Sequence, residues 1–154
     1  MENPEKAAAD LVYRSCLLMD QKKFEEYFAL CADDFRYTIT AYSPEAKVDM
    51  IWMDEDKASL KRTLDVLPRH NSDHSPLSRH VTVYTVDYDA AQKKARVVSA
   101  LQVFRTSLDG GETQLFAVAK YYDVIALFGS EARLTERIVR LETRMLGLGS
   151  HIPF

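Results

Sequence analysis

Apolar residues recur at helical spacing over the first thirty positions. Ala8, Leu11, Val12, Ser15, Leu18 and Met19 share one face at intervals of three and four, which predicts a helix over residues 4–20 with Pro4 in its first turn. Phe24, Tyr27, Phe28 and Cys31 continue the stripe on a shorter helix, and the acidic pair Asp33 and Asp34 breaks it. The period then changes. Residues 35–42 alternate β-branched or aromatic with polar side chains, and Ser43-Pro44 ends the strand they predict. A third helix is expected over residues 54–66, with Leu60, Leu64 and Leu67 as its buried row. The polar stretch between Pro68 and Pro76 reads as a loop. Beyond it come strands at hairpin spacing over residues 80–88, 95–106 and 113–127, and a last one over 134–146. The Asp109-Gly110 turn joins the second of these to the third.

Helices followed by a long, mostly antiparallel sheet make an α+β order, not an alternating one. Strands of ten or more residues exceed the usual five or six, and they are stable when the sheet curls. The expected architecture is therefore a strongly curved sheet closed around the N-terminal helices, a cone formed by residues 1–154 as one domain. Its interior is expected to be filled by Val98, Leu101, Val103, Phe104, Phe116, Val118, Tyr121, Ile125, Ile138 and Leu141, leaving no ligand cavity.

Composition narrows the function. The chain of 154 residues carries a net charge of −3, and its 20 Lys and Arg lie scattered among 23 acids. No basic field attracts nucleic acid or an anionic membrane. The polar, acidic start does not read as a signal peptide, and no apolar run approaches the roughly 18 residues of a spanning helix. Cys16 and Cys31 both fall within apolar helical patterns, which predicts buried thiols and a cytoplasmic location.

Candidate chemistry is sparse. His70, Asp73 and His74, with His80 six residues on, are the residue types that bind transition metals, but their spacing matches no strong metal pattern. Loops rich in Asn, Ser and Asp also arise because those residues form turns, so a metal site, a structural or interface loop and a ligand-gating loop all stand, with no metal expected in the purified chain. Asp34 and His80 could form an acid–base pair if both face one cavity, with Tyr13, Tyr37 or Tyr42 polarising a substrate oxygen. No Gly-x-Ser-x-Gly elbow or phosphate-binding glycine loop is present. Trp52 is expected as a core or interface anchor. The paired Cys and His spacings of a Rieske cluster are missing, since the two cysteines lie fifteen residues apart.

Two leading helices, Phe35-Arg-Tyr37, a Trp-containing segment before the third helix, Arg79-His80 at a strand opening and a run from Arg137 to an apolar Phe154 recur together in one family. On these residues the chain resembles the β (small) subunits of Rieske-type aromatic-ring-hydroxylating oxygenases, in the cystatin-like superfamily of nuclear transport factor 2 and ketosteroid isomerase. Residues 41–52 are more similar to the small subunits of sulfonate-oxidising relatives such as methanesulfonate monooxygenase. The resemblance implies a non-catalytic subunit of an α3β3 oxygenase acting on an aromatic compound or a small sulfonate. The Rieske [2Fe-2S] cluster and mononuclear iron would then belong to the α subunit. It also implies no catalytic residue here. An apolar chain end is costly to leave in water and a polar loop suits a wet contact, so a homotrimer or a larger complex with the α subunit is expected, with Trp52, His70, Asp73, His74, Arg79, His80, Ile152 and Phe154 at interfaces. On that expectation, removing residues 151–154 weakens assembly and spares the fold. A stand-alone isomerase or dehydratase using Asp34 and His80 is the alternative, and an orphan ligand-binding module is a third.

Overall fold

The computed structural model describes residues 3–70, 75–143 and 153–154, with the side chains of 67–70 left aside. Helix α1 spans Pro4–Asp20, α2 Phe24–Ala29 and α3 Lys57–His70. The strands are β1 Cys31–Ser43, β2 Val48–Asp56, β3 Leu77–Asp89, β4 Lys94–Thr106, β5 Thr113–Phe128 and β6 Glu131–Leu141. Asn3 caps α1 by accepting the Lys6 N–H at 3.0 Å, and Pro4 follows in the first turn, where its missing N–H is harmless. The face predicted to be apolar is the one that is buried: Ala8, Leu11, Val12, Ser15, Cys16, Leu18 and Met19 all turn inward.

Six strands form one sheet in the order β2-β1-β6-β5-β4-β3. Only β1 and β6 pair parallel; the other four neighbours are antiparallel. Register shifts break every ladder, at Ile39/Thr40, Cys31/Arg36, Val83/Thr85, Val103/Phe104 and Val124/Ile125. Each extra residue bends its strand and sharpens the local twist, so a bulge in every ladder curls long strands into a cone. The helices plug its inner face. The β4–β5 hairpin turns where Gly110 takes φ 73°, as the Asp-Gly pair predicts.

Three expectations are corrected. Residues 48–56, read as a lead-in to a helix, are an edge strand; α3 begins at Lys57, with Asp56 accepting the Ser59 N–H at 2.8 Å. Helix α3 also runs through Pro68 to His70, so the loop starts later than Pro68. Proline is costly inside a helix but does not forbid its last turn. The third correction concerns which side chains fill the cone. Leu101, Val103, Tyr121, Ile125 and Leu141 are buried in one core with α1, but Val98, Val118 and Ile138 are only half-buried. They occupy the opposite phase of the strand alternation and face outward, and Phe104 meets His80 edge-to-face at 4.8 Å on that side as well.

Candidate functional site

Charged and phenolic side chains occupy inward positions of the sheet, in phase with the core. Asp123 stands two residues from both Tyr121 and Ile125 on β5, and Arg137 two from Val139 on β6. The two face each other across the β5–β6 ladder. Arg137 Nε and Nη2 donate to the two Asp123 carboxylate oxygens at 2.9 and 3.0 Å, and both side chains are sealed from solvent. The guanidinium also lies over the Tyr121 ring, 3.9 Å from its centre. Such a bidentate, stacked geometry suits arginine and not lysine. Burial opposes the Arg137 charge, yet Asp123 together with the Tyr121 and Tyr27 hydroxyls outweighs it and holds the proton well beyond the ordinary arginine range.

Above this pair sits the far end of the chain. Phe154 is 2% exposed. Its N–H donates to the Tyr37 hydroxyl, its main-chain oxygen accepts from the Tyr121 hydroxyl at 2.7 Å, and its ring lies 6.2 Å from that of Phe116. Arg79 Nη2 donates to the Pro153 carbonyl at 2.8 Å, while Arg79 Nη1 and its N–H hold Asp20 at the end of α1. A polar thread thus runs through an apolar cone, from Asp20 and Arg79 past Phe154 to Tyr121, Arg137 and Asp123. Burial raises the Tyr121, Tyr27 and Tyr37 hydroxyls well above the usual phenol range, so all stay protonated donors at neutral pH.

The residues singled out by sequence are placed elsewhere. Asp34 is exposed at the bulge of β1, and His80 is exposed on β3, where its ring bonds Ser78 at 3.1 Å. Strands β6, β5 and β4 separate β1 from β3, so no shared pocket joins the two as an acid–base pair. Trp52 sits at the β1–β2 bulge, 41% exposed. Arg79 and Phe154, expected at interfaces, are instead committed to their own cone, because each finds its partners inside. The side chains of His70, Asp73, His74 and Ile152 lie outside the described residues. Among the described residues no group of three His, Cys, Asp or Glu is placed to hold a metal.

The thiols do not fit an iron–sulfur cluster either. Cys16 Sγ contacts the Tyr121 hydroxyl at 3.6 Å, and Cys31 Sγ donates to the Tyr27 carbonyl at 3.5 Å, each buried on its own element with no described histidine bonded to it. Burial pushes the Cys31 thiol up to about 12 and raises Cys16 as well. Both thiols should therefore react with a disulfide reagent at least about 100-fold slower in the native chain than in urea, because the thiolate is the nucleophile. Comparable rates in the two states, followed by absorbance, would show an open interior.

What sequence reading missed was the inward charge. Strict period-two counting exposes it: Asp123 shares the phase of Tyr121 and Ile125, and Arg137 that of Val139 and Leu141.

Comparison with known proteins covers nearly the whole chain. The profile of the ring hydroxylating β subunit family matches residues 14–147. Methanesulfonate monooxygenase hydroxylase subunit β of Methylosulfonomonas methylovora is 44% identical over 154 residues, covering 96% of this chain and 85% of that one. The β subunit of 2-aminobenzenesulfonate 2,3-dioxygenase from an Alcaligenes species is 33% identical over 145 residues, covering 94% and 95%. Among solved structures, a chain of naphthalene 1,2-dioxygenase with indole bound superposes with TM-score 0.76 at 18% identity, over 92% of this chain and 80% of that one. Solved chains of the cystatin-like, nuclear transport factor 2-like kind share the curved architecture.

Proposed function

This chain belongs to the ring hydroxylating β subunit family, the small subunits of multi-subunit oxygenases, and from that premise we propose that it is the non-catalytic β subunit of a sulfonate-oxidising Rieske oxygenase. The observation that carries the reading is the interior of the cone. Where a stand-alone isomerase of this fold needs an open pocket with titratable groups facing in, the described interior is occupied by Phe154, with Asp123 locked onto Arg137 and Tyr121 onto the chain end. Asp34 and His80 stand outside on distant strands. The names of the two curated relatives support a sulfonate as the substrate of the complex. The Rieske cluster and mononuclear iron then reside in the α subunit, since the cysteines here are spent in the core. Buried free thiols also suit the cytoplasm, and no described helix is long and apolar enough to cross a membrane.

In this reading residues 1–154 form one domain, and three copies close a ring against three α subunits. A ring contact is heterologous, one patch of each copy meeting a different patch of the next. The two edges of the sheet supply different patches. Edge strand β2 presents Ile51 at 65% and Trp52 at 41% exposure, and the far edge β3 presents His80 and Tyr84. An apolar edge strand left in water invites association, and aromatic anchors dominate interface energy. Trp52→Ala should weaken assembly with the co-expressed α subunit about tenfold or more, with an unchanged far-ultraviolet spectrum. Unaltered affinity in sedimentation velocity would remove β2 from the interface.

A further inference from the structure

Among the described residues, three buried polar atoms have no hydrogen-bond partner: Arg79 Nε, Ser99 Oγ and Arg137 Nη1. Ser99 and Arg137 are fully buried and Arg79 is 8% exposed. All three belong to one chamber. Ser99 is the register partner of Tyr121 across β4–β5, Arg137 stacks on the Tyr121 ring, and Arg79 holds Pro153 beside it. The chamber is unbalanced in one direction. Both Asp123 oxygens are taken by Arg137 and both Asp20 oxygens by Arg79, so the unpaired groups are two guanidinium N–H donors and a hydroxyl. Buried donors without acceptors are costly, and an excess of them suits an acceptor-rich ligand.

What fills the space now has the form of such a ligand. Phe154 brings an aromatic ring to Phe116 and an oxygen acceptor to the Tyr121 hydroxyl at 2.7 Å. We propose that the interior of the cone is a binding site for a small aromatic oxyanion, an aryl carboxylate or aryl sulfonate, which Phe154 occupies as a built-in competitor. The ring takes the place of the Phe154 side chain, and the anion accepts from Tyr121, Tyr37 and the free guanidinium N–H groups. Assembly with an α subunit plays no part in this, and the test uses the full chain by itself.

Phenylacetate is the probe, titrated calorimetrically into wild-type and Phe154→Ala chains, with toluene and acetate as its two halves. The variant, which must release only the main-chain contacts of residue 154, should bind one phenylacetate, with a raised thermal midpoint, at least about tenfold tighter than wild type, which must also expel the Phe154 ring. Toluene and acetate should each bind at least about tenfold weaker than phenylacetate. Adding Tyr121→Phe should cost about fivefold more, the loss of one hydrogen bond. Saturating wild type should release the Phe154 amide to hydrogen exchange. Equal binding by wild type and variant would place the site elsewhere. Toluene binding as well as phenylacetate would reveal an apolar hole without anion recognition, and absence of binding by the variant would leave the donors to water; each overturns the proposal. Should Phe154→Ala not fold, Phe154→Leu is read by the same titrations and the same criteria.

Discussion

Asp123→Ala should lower the unfolding free energy by about 3–5 kcal/mol and the thermal midpoint by on the order of 10 °C. The reason lies in what remains. Arg137 is fully buried against Asp123 and the Tyr121 ring, and removing Asp123 leaves its charge without a counter-ion. Arginine cannot escape by losing its proton. The reverse change, Arg137→Met, should cost less, because the stranded Asp123 carboxyl can take up a proton. Burial pushes that carboxyl above its ordinary value, and in the wild type Arg137 pulls it back. Without Arg137 the folded carboxyl holds its proton more tightly than the unfolded one. The stability of Arg137→Met should then be fully present below the unfolded carboxylate value and fall as pH rises through the raised folded value. Replacing both residues with Leu and Met should recover most of the loss, since apolar packing often matches a buried pair. Chemical denaturation across pH measures all three variants; a loss under about 1 kcal/mol for Asp123→Ala would show that water reaches the pair.

Phe154→Ala should cost about 3–5 kcal/mol in the isolated chain, the usual effect of emptying a buried phenylalanine site. The sequence-based expectation was the opposite, that residues 151–154 serve assembly and spare the fold. The contacts of Phe154 favour a role in the fold, because it is held by Tyr37, Tyr121 and Phe116 of its own chain. Urea unfolding of the isolated chain separates the two. A midpoint equal to wild type, with weakened assembly alone, would return the residue to an interface.

The cone was legible in the sequence because two periodicities carry it. The stripe from Ala8 to Met19 fixed α1, and strand patterns with an Asp-Gly turn fixed β4 and β5. Strand β2 was not legible, because Val48, Met50, Ile51 and Trp52 run apolar on both faces of an exposed edge and show no alternation of burial. The site was harder. Polar residues in loops draw attention first, yet the network that organises this chain is built from charged residues at core-facing strand positions, and their partners come from far along the chain. Tyr37 and Phe154 are 117 positions apart, and Arg79 and Pro153 are 74. Local spacing cannot report contacts that only the curl of the sheet creates. The family was legible because it rests on the order of whole segments and not on one motif.

Co-expression of this chain with a Rieske α subunit, followed by light scattering and sulfonate-dependent oxygen uptake with an electron-donating reductase and its reduced nicotinamide supplied, tests the central claim most directly. The account predicts one equimolar complex that turns over, an α subunit that loses activity without this chain, and unchanged turnover per assembled complex when Asp34→Asn and His80→Asn are introduced together. A chain that stays monomeric beside a fully active α subunit, or turnover abolished by those two substitutions within an intact complex, would contradict it.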